Sequence, residues 1–371
     1  LIGNGPSGIC LSYLLSGYRP YLSPEAVHPN PILHTKLEEA RHLSIVDQDL
    51  EYLSEGLEGR SSNPVAVLFD TLLHPDADFG YDYPSVLHWK LEQHNYIPHI
   101  VLGKGPPGGA WHAMEGSMLT ISFGDWMELP GLTFKDWAAS KRRGYQRATD
   151  GSHVPFCLFA ENVALATGTF DSPGRLHVEG EDFPFVLHSM SDFGAAVSKG
   201  KLRGKADPVL IVGAGLTAAD AVLCAYNNNI PVIHVFRRRV TDSSLIFKQL
   251  PKKLYPEYHK VYHMMCTQSH TGDSNLHSAY TSFPEHNVLS FKPEMKCVLQ
   301  SASGLKKILK FSVALVLIGS HPNLFFLKDQ GHSIDPYTYE CTKEANLFAL
   351  GPLVGDNFVR FLKGGALGIV R

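Results

Sequence analysis

The chain has 371 residues, of which 44% are hydrophobic and 19% are charged, a composition that excludes a disordered or fibrous protein. One hydrophobic core rarely serves so many residues, so we expect two domains. The formal net charge of −3 does not favour a protein that wraps nucleic acid or lies on an anionic membrane. No apolar run reaches the ~20 residues of a membrane span. We therefore expect a protein without a transmembrane segment and without a nucleic-acid partner.

A glycine-rich turn opens the chain. Two apolar residues precede it and an apolar helical stretch follows, and the turn itself consists of Gly3, Asn4, Gly5, Pro6, Ser7 and Gly8. In a Gly-x-Gly-x-x-Gly turn the first glycine allows the tight turn, the second lets the backbone approach a pyrophosphate, and the third packs helix on strand. Because only two strand residues precede the turn, we expect that the chain begins inside its first strand.

Residues 19–97 do not follow a strand-helix-strand rhythm. They are rich in proline and histidine, and we predict helices over residues 43–57 and 86–93. An apolar strand is predicted only afterwards, over residues 97–102. The segment 19–97 is therefore interpreted as an insertion into the first dinucleotide-binding unit.

Two further strands are predicted at residues 162–166 and 311–318, and the first of them ends in Thr167-Gly168. Between these strands lies a second glycine turn in a complete context. An apolar strand over residues 208–212 enters it, a helix to Tyr226 follows, and a second strand covers residues 230–236. The residues of this turn expected to contact a pyrophosphate are Gly213, Gly215, Leu216 and Thr217.

The strand after the second turn ends in three arginines, Arg237, Arg238 and Arg239, beginning 24 residues beyond Gly213. An acidic residue here would accept the ribose 2′-hydroxyl of NAD, whereas guanidinium groups would pair with the 2′-phosphate of NADP. We interpret the site as an NADPH site held by Arg237 and Arg238. A solvated basic turn is the alternative.

Other kinds of site are poorly supported. Six cysteines occur without a Cys-x-x-Cys pair, a pattern that favours a reducing compartment and argues against a flavin reductase with a dithiol relay. We therefore expect an intracellular, cytoplasmic protein. His259 and His263 are four residues apart but have no third ligand nearby in sequence, so no metal site is predicted. No Gly-x-Ser-x-Gly elbow indicates a hydrolase.

Several motifs resemble the flavin-dependent monooxygenases. Gly108, Gly109 and Trp111 follow the strand predicted to end at Leu102, where those enzymes have a Gly-Gly-x-Trp segment along the flavin. The later motifs Thr167-Gly168 and Gly355-Asp356 also stand in the order of that superfamily. Within it, four longer segments resemble the oxidative stress-induced growth inhibitor family, at residues 109–112, 165–173, 250–261 and 351–361.

The resemblance implies an NADPH-dependent FAD monooxygenase or oxidase with a role in restraining growth, in differentiation, cytokinesis or meiosis, and in the oxidative stress response. Protein partners in growth control are also implied, and the substrate stays open. FAD is expected to contact Gly3, Gly5, Pro6, Ser7, Gly8, Gly108, Gly109, Trp111, Thr167, Gly168, Gly355 and Asp356. Candidates for catalysis on the oxygen side are Ser122, Thr120 and His188.

The predicted fold is α/β, with two Rossmann-like dinucleotide-binding domains and the NADPH domain inserted in a discontinuous FAD domain. Residues 1–200, including the insertion, and 301–371 form the FAD domain, and residues 201–300 form the NADPH domain. The alternative is a regulatory or interaction protein that keeps this fold with little or no turnover. Two substitutions favour that alternative: Gly103 stands where an FAD site usually has Glu, and Ile121 where the monooxygenases have Asn.

Overall fold

The computed structural model describes residues 1–114, 122–133, 157–200, 202, 207–267, 279–327 and 333–371. These residues form two compact units. Unit 1 runs over residues 1–112, 120–168 and 324–371, and unit 2 over 113–119 and 169–323, wherever these are described. The unit boundaries at 168 and 323 differ from the predicted domain boundaries at 200 and 300. The assignment of FAD and NADPH domains stays a prediction.

In chain order the described helices are α1 (Pro6–Leu15), α2 (Pro31–Glu39), α3 (Leu50–Ser54), α4 (Pro64–Leu73), α5 (Met190–Ser198), α6 (Leu216–Asn227), α7 (Ile246–Gln249), α8 (Pro256–Thr267) and α9 (Gly364–Val370). The described strands are β1 (Tyr18–Leu22), β2 (Leu87–Leu91), β3 (Val163–Leu165), β4 (Ser172–Pro173), β5 (Val186–Leu187), β6 (Val209–Val212), β7 (Val232–Phe236), β8 (Tyr280–Pro284), β9 (His286–Lys292), β10 (Lys296–Ser301), β11 (Lys306–Lys310), β12 (Ala314–Val316), β13 (Ser320–His321) and β14 (Leu347–Ala349). The predicted strands at 162–166 and 311–318 are thus confirmed as β3 and β12. Across the described residues, none of the helices is both long and apolar enough to cross a bilayer.

A parallel arrangement of backbone segments forms the centre of unit 1. Strand β3 pairs with β14, and Ile2 lies between Leu102 and Leu165 in parallel bridges on both sides. The Ile2 amide donates to Ala164 O at 2.9 Å. The prediction of a regular strand over residues 97–102 is wrong, because Leu102 forms an isolated bridge and the other residues of the segment form no strand.

Residues 19–97 lie within unit 1. Strands β1 and β2 pair antiparallel, with Tyr18 opposite Leu91 and Leu22 opposite Leu87. The predicted helix over residues 86–93 is wrong, because this segment finds its hydrogen-bond partners in β1 instead. The predicted helix over residues 43–57 is also wrong as one element, since the Asp49 carboxylate accepts from two backbone amides and starts the short helix α3 anew.

The helices of unit 1 pack around a common core. Helix α9 lies against both α1 and α4, and the approach to α4 is so close that a Cβ on Gly364 would lie 2.2 Å from Ala66 Cα. Leu11 and Leu14 of α1, Phe69 of α4 and Leu367 of α9 are almost completely buried. Burial of such side chains is the main favourable contribution to folding of this unit.

A buried group of charges lies beside this core. Arg360 is 3% exposed and donates to both oxygens of the Asp70 carboxylate, and its Nη1 donates to Asp78 at 2.8 Å. Its guanidinium also lies over the Trp126 ring, 4.8 Å from the centroid.

The ammonium of Lys363 is buried as well and donates to the carbonyl oxygens of Trp126 and Glu128 at 2.8 Å. Burial of these charges is compensated by close ionic and carbonyl partners.

Unit 2 contains a five-stranded parallel sheet in the order β5-β12-β6-β7-β8. Every residue of β6, β7 and β12 is buried, as expected for a parallel sheet covered on both faces. A separate antiparallel sheet in the same unit consists of β9, β10 and β11. The mixed α/β fold with parallel sheets is therefore confirmed.

His234 connects three segments of unit 2, namely the interior strand β7, the second glycine turn and strand β8. It is fully buried on β7, and its Nε2 lies 2.7 Å from the backbone oxygen of Gly213. Because a carbonyl only accepts, Nε2 carries the proton and Nδ1 accepts from the Tyr280 hydroxyl at 2.7 Å. Burial lowers the pKa of His234 to about 4, so the ring is neutral at pH 7.

Removal of the Asp70 carboxylate tests the buried charges. In Asp70→Asn, the buried guanidinium of Arg360 loses the carboxylate that neutralises its charge. We therefore expect the free energy of unfolding to fall by about 3 kcal/mol. Urea denaturation followed by circular dichroism measures the change. The control is Asp182→Asn, which removes the exposed partner of Arg175, and we expect a change below about 1 kcal/mol. Equal effects of the two variants would contradict the importance of burial.

The pH dependence of stability tests the role of His234. Since its pKa in the folded chain, about 4, lies below the unfolded value of 6.5, the unfolded chain binds more protons between these values. The free energy of unfolding is therefore expected to fall as the pH drops from 6.5 to 4, by up to about 3 kcal/mol. Urea midpoints measured across this range should fall less steeply in His234→Gln. Parallel curves for the two proteins would refute the assignment.

Candidate functional site

The first glycine turn lies at the carboxyl end of the parallel arrangement in unit 1. Gly3 has a φ of +117°, and a Cβ there would lie 2.2 Å from the backbone oxygen of Ala166. A Cβ on Gly8 would lie 2.2 Å from the Gly3 oxygen. Neither position can accept a side chain without a shift of backbone. The turn therefore has the close packing of helix on strand that a pyrophosphate-binding turn requires.

The segment predicted to follow a flavin lies against this turn. Gly109 has a φ of +58°, and a Cβ there would lie 2.9 Å from Gly5 Cα. The amide of Gly108 donates to the Asn4 oxygen at 2.9 Å. Trp111 lies in the short 3-10 helix Gly109–Ala113 and is half-buried. The structure thus brings the two glycine motifs of unit 1 together.

Two further predicted residues complete the same edge. Ser7 is buried in the first turn of α1, and a Cβ on Gly351 would lie 2.3 Å from its Oγ. Thr167 follows β3 directly beside Gly3, and its hydroxyl Oγ1 is buried without a hydrogen-bond partner in the described part of the chain. A buried hydroxyl without a partner costs about 1–3 kcal/mol. This unsatisfied donor, beside a turn that excludes side chains, fits a site for a dinucleotide.

The predicted residue Asp356 lies inside a network of hydrogen bonds. The residue is fully buried, and its carboxylate accepts from Ser61 Oγ at 2.5 Å, from Asn63 Nδ2 at 3.0 Å and from the Tyr339 hydroxyl at 3.3 Å. Burial raises the pKa of Asp356 to about 6. These hydrogen bonds hold the carboxylate of Asp356 in place, and the contact of Gly355 and Asp356 with FAD stays a prediction. Gly355 precedes it with a φ of +93°.

The second glycine turn lies at the carboxyl end of β6. Gly213 has a φ of +134°, and a Cβ there would lie 2.2 Å from the backbone oxygen of Leu317. Gly215 is the N-cap of α6, and open space lies where its side chain would be. Leu216 and Thr217 form the first turn of the helix. The amino end of α6 therefore faces an open position, as expected for a site that binds phosphate.

The three arginines at the end of β7 differ in their contacts. Arg238 donates to the backbone oxygen and to Oγ of Ser244, at 3.0 and 2.8 Å. Arg239 pairs with Glu285 at 2.9 Å. Arg237 is exposed and has no ion pair or hydrogen bond to any described residue. Of the three, Arg237 is the side chain most available to a ligand.

The candidates for catalysis are less well defined. Ser122 is buried in unit 1. His188 belongs to unit 2, where its Nε2 lies 3.0 Å from the Glu181 carboxylate, which also accepts from the amides of Leu176 and His177. Thr120 lies outside the described residues, as does Ile121. A shared catalytic role of the three stays a prediction. No group of three or more potential metal ligands occurs among the residues with described positions.

Sequence reasoning missed two features of these sites. His234 was treated only as part of an apolar strand, although a histidine inside such a strand is a signal for a buried hydrogen bond. Asn4 was treated as a variable position of the turn, yet its Nδ2 donates to the Gly105 oxygen at 2.7 Å. Both side chains fix the backbone of a glycine turn.

Comparison with known proteins gives a clear result at the level of sequence. No family model matches the chain. Oxidative stress-induced growth inhibitor 2 of Homo sapiens is 70% identical over 463 residues, covering 100% of this chain and 92% of the relative. Oxidative stress-induced growth inhibitor 1 of Homo sapiens is 48% identical, covering 100% and 93%. The first alignment is longer than this chain, so that relative has internal residues that the chain lacks.

Solved structures give weaker matches. Bacillithiol disulfide reductase Bdr from Staphylococcus aureus has 21% identity and a TM-score of 0.41, with 56% of this chain and 61% of that chain covered. Thioredoxin reductase from T. acidophilum has 16% identity and a TM-score of 0.38, with 57% and 65% covered.

The resemblance noted in the sequence is therefore confirmed by relatives aligned along the whole chain. A homologue from Caenorhabditis elegans, the oxidative stress induced growth inhibitor homolog osgn-1, extends this similarity at 28% identity with 100% of the chain covered. On the full-length identities of 70% and 48%, the chain belongs to the oxidative stress-induced growth inhibitor family.

Proposed function

We propose that this protein is an NADPH-dependent FAD flavoprotein that acts as a monooxygenase or oxidase. One observation carries the proposal: in each unit, parallel backbone pairing (the bridges at Ile2 in unit 1, strand β6 in unit 2) leads into a glycine turn where a backbone oxygen occupies the place of a side chain. The turns are at Gly3 and Gly8 in unit 1 and at Gly213 in unit 2. Two such turns in one chain support two dinucleotide sites.

Unit 1 is proposed to hold FAD. Its glycine turn would receive the pyrophosphate at the amino end of α1, and the unpartnered Thr167 hydroxyl would donate to it or to a neighbouring oxygen. The segment at Gly108 and Gly109 lies on the turn and would line the cofactor. Bound FAD would supply the electron-transfer chemistry, and the protein positions it and excludes water.

Unit 2 is proposed to hold NADPH. The open position at Gly215 would receive the pyrophosphate, and Arg237 the 2′-phosphate, with Arg238 beside it. His234 supports this site indirectly, since its hydrogen bond holds the Gly213 backbone to β7.

The cysteines favour oxygen over a disulfide as the electron acceptor. None of the six cysteines forms a disulfide in the described part of the chain, and the sequence has no Cys-x-x-Cys pair. A disulfide reductase of the dithiol type needs two neighbouring thiols.

We extend the proposal to a role in growth, differentiation or cytokinesis, which rests on the names of the relatives and on the family resemblance.

A second candidate function is a regulatory protein with little turnover. Gly103 favours it, because the residue after the second strand supplies no carboxylate to an adenosine ribose. In this alternative, FAD or NADPH would act as a ligand that stabilises the fold.

Anaerobic mixing with FAD and NADPH separates the two functions. We expect the visible absorbance of protein-bound flavin to bleach after NADPH is added and to return after oxygen is admitted. The control is NADPH added to free FAD at the same concentration. Bound flavin that NADPH does not bleach would support the regulatory function, and absence of bound flavin would contradict the FAD site.

Substitution of Arg237 tests the choice of nucleotide. In Arg237→Ala we expect the Kd for NADPH to rise about tenfold or more, while that for NADH stays within about twofold, because only the phosphate loses a charged partner. Isothermal titration measures both constants. The matched control is Arg239→Ala, whose side chain pairs with Glu285. An equal rise for both nucleotides in Arg237→Ala would overturn the assignment.

A further inference from the structure

The residue that usually recognises an adenosine ribose in a glycine-turn site follows the second strand of the unit. In unit 1 this strand is represented by Leu102, which bridges Ile2, so the position falls on Gly103. Gly103 has no side chain to offer. The space that a side chain at position 103 would occupy is filled by the side chain of Asn4.

The Asn4 side chain lies directly over Gly103. A Cβ on Gly103 would lie 2.1 Å from Asn4 Cγ, 2.2 Å from Nδ2 and 2.4 Å from Oδ1. Contacts below 3.0 Å require a shift, so any larger residue at 103 would displace the amide. Asn4 and Gly103 therefore form a matched pair, in which an amide on the glycine turn replaces a side chain on the strand.

The amide is held in one orientation. Its Nδ2 donates to the Gly105 oxygen at 2.7 Å. The backbone of Asn4 is held as well, because its carbonyl oxygen accepts from the Gly108 amide at 2.9 Å. Oδ1 has no hydrogen-bond partner within the described ranges, and Asn4 is only partly buried. A neutral acceptor thus remains free where an acidic residue is usually found.

We propose that Asn4 is the residue that recognises the adenosine ribose in the unit 1 site, with Oδ1 accepting from the ribose 3′-hydroxyl, which a 2′-phosphate leaves in place. This inference rests on the proposed binding of FAD by unit 1. It has a consequence for specificity, because a neutral amide does not repel phosphate as a carboxylate does. The unit 1 site accordingly accepts an adenosine ribose with or without a 2′-phosphate.

A double-mutant cycle on FAD affinity tests the pairing. The proteins are the native chain, Asn4→Ala, Gly103→Ala and the double variant, each titrated with FAD by fluorescence quenching. We expect each single variant to raise the Kd about threefold to tenfold, the effect of one neutral hydrogen bond. The double variant should be no weaker than Asn4→Ala, because Gly103→Ala acts by displacing the amide.

Gly124→Ala is the matched control, because Gly124 belongs to the same unit, has open space around the position of its Cβ and takes no part in the glycine turn or its contacts. Its FAD affinity should equal that of the native chain, and circular dichroism of all variants verifies folding. If the native chain binds FAD but Asn4→Ala binds it equally well, or if the two losses add, the inference is wrong while the proposed function stands. If the native chain binds no FAD, both are wrong.

Displacement of bound FAD tests the specificity. ADP-ribose and 2′-phospho-ADP-ribose should displace FAD from the native chain at concentrations within about threefold of each other. Asn4→Ala/Gly103→Glu restores a carboxylate and should prefer ADP-ribose by about tenfold or more. A native chain that already prefers ADP-ribose tenfold would overturn the inference.

Discussion

Both proposed nucleotide sites depend on contact between a turn and the backbone of an adjacent strand. The Ala166 oxygen lies where a side chain of Gly3 would begin, and the Leu317 oxygen lies where one of Gly213 would begin. This contact brings the helix that follows each turn close to the end of its sheet. The amide groups at the start of the helix then face outward together, which is the basis of phosphate binding at such sites.

Much of this arrangement could be predicted from sequence because it depends on local signals. The second glycine turn comes with a complete strand before it and a complete helix after it, and the structure has β6 and α6 at those places. The secondary structure of residues 86–93 could not be predicted in this way, because a short apolar segment can form either a buried helix or a strand. Here it forms a strand whose partner is β1, about 70 residues earlier in the chain.

The details of the candidate site depend on contacts that spacing does not show. Gly355-Asp356 matches a flavoprotein motif, yet Asp356 is surrounded by Ser61, Asn63 and Tyr339. Gly103 differs from the usual motif, but the space left by its missing side chain is filled by the side chain of Asn4. In both cases the partners come from distant parts of the sequence, so a single motif could not reveal them.

The Asp356 network also affects the order in which the protein can fold during synthesis. Ser61 and Asn63 are nearly 300 residues before Asp356, and the unit 1 core likewise joins Leu14 to Leu367. Unit 2, by contrast, lies almost wholly between residues 169 and 323. The ribosome therefore releases all of the segment 169–323 before the last part of unit 1 exists. Until then Asn63 and the hydrophobic face of α1 lack their partners, which exposes the first 112 residues to chaperones and proteases for longer than unit 2.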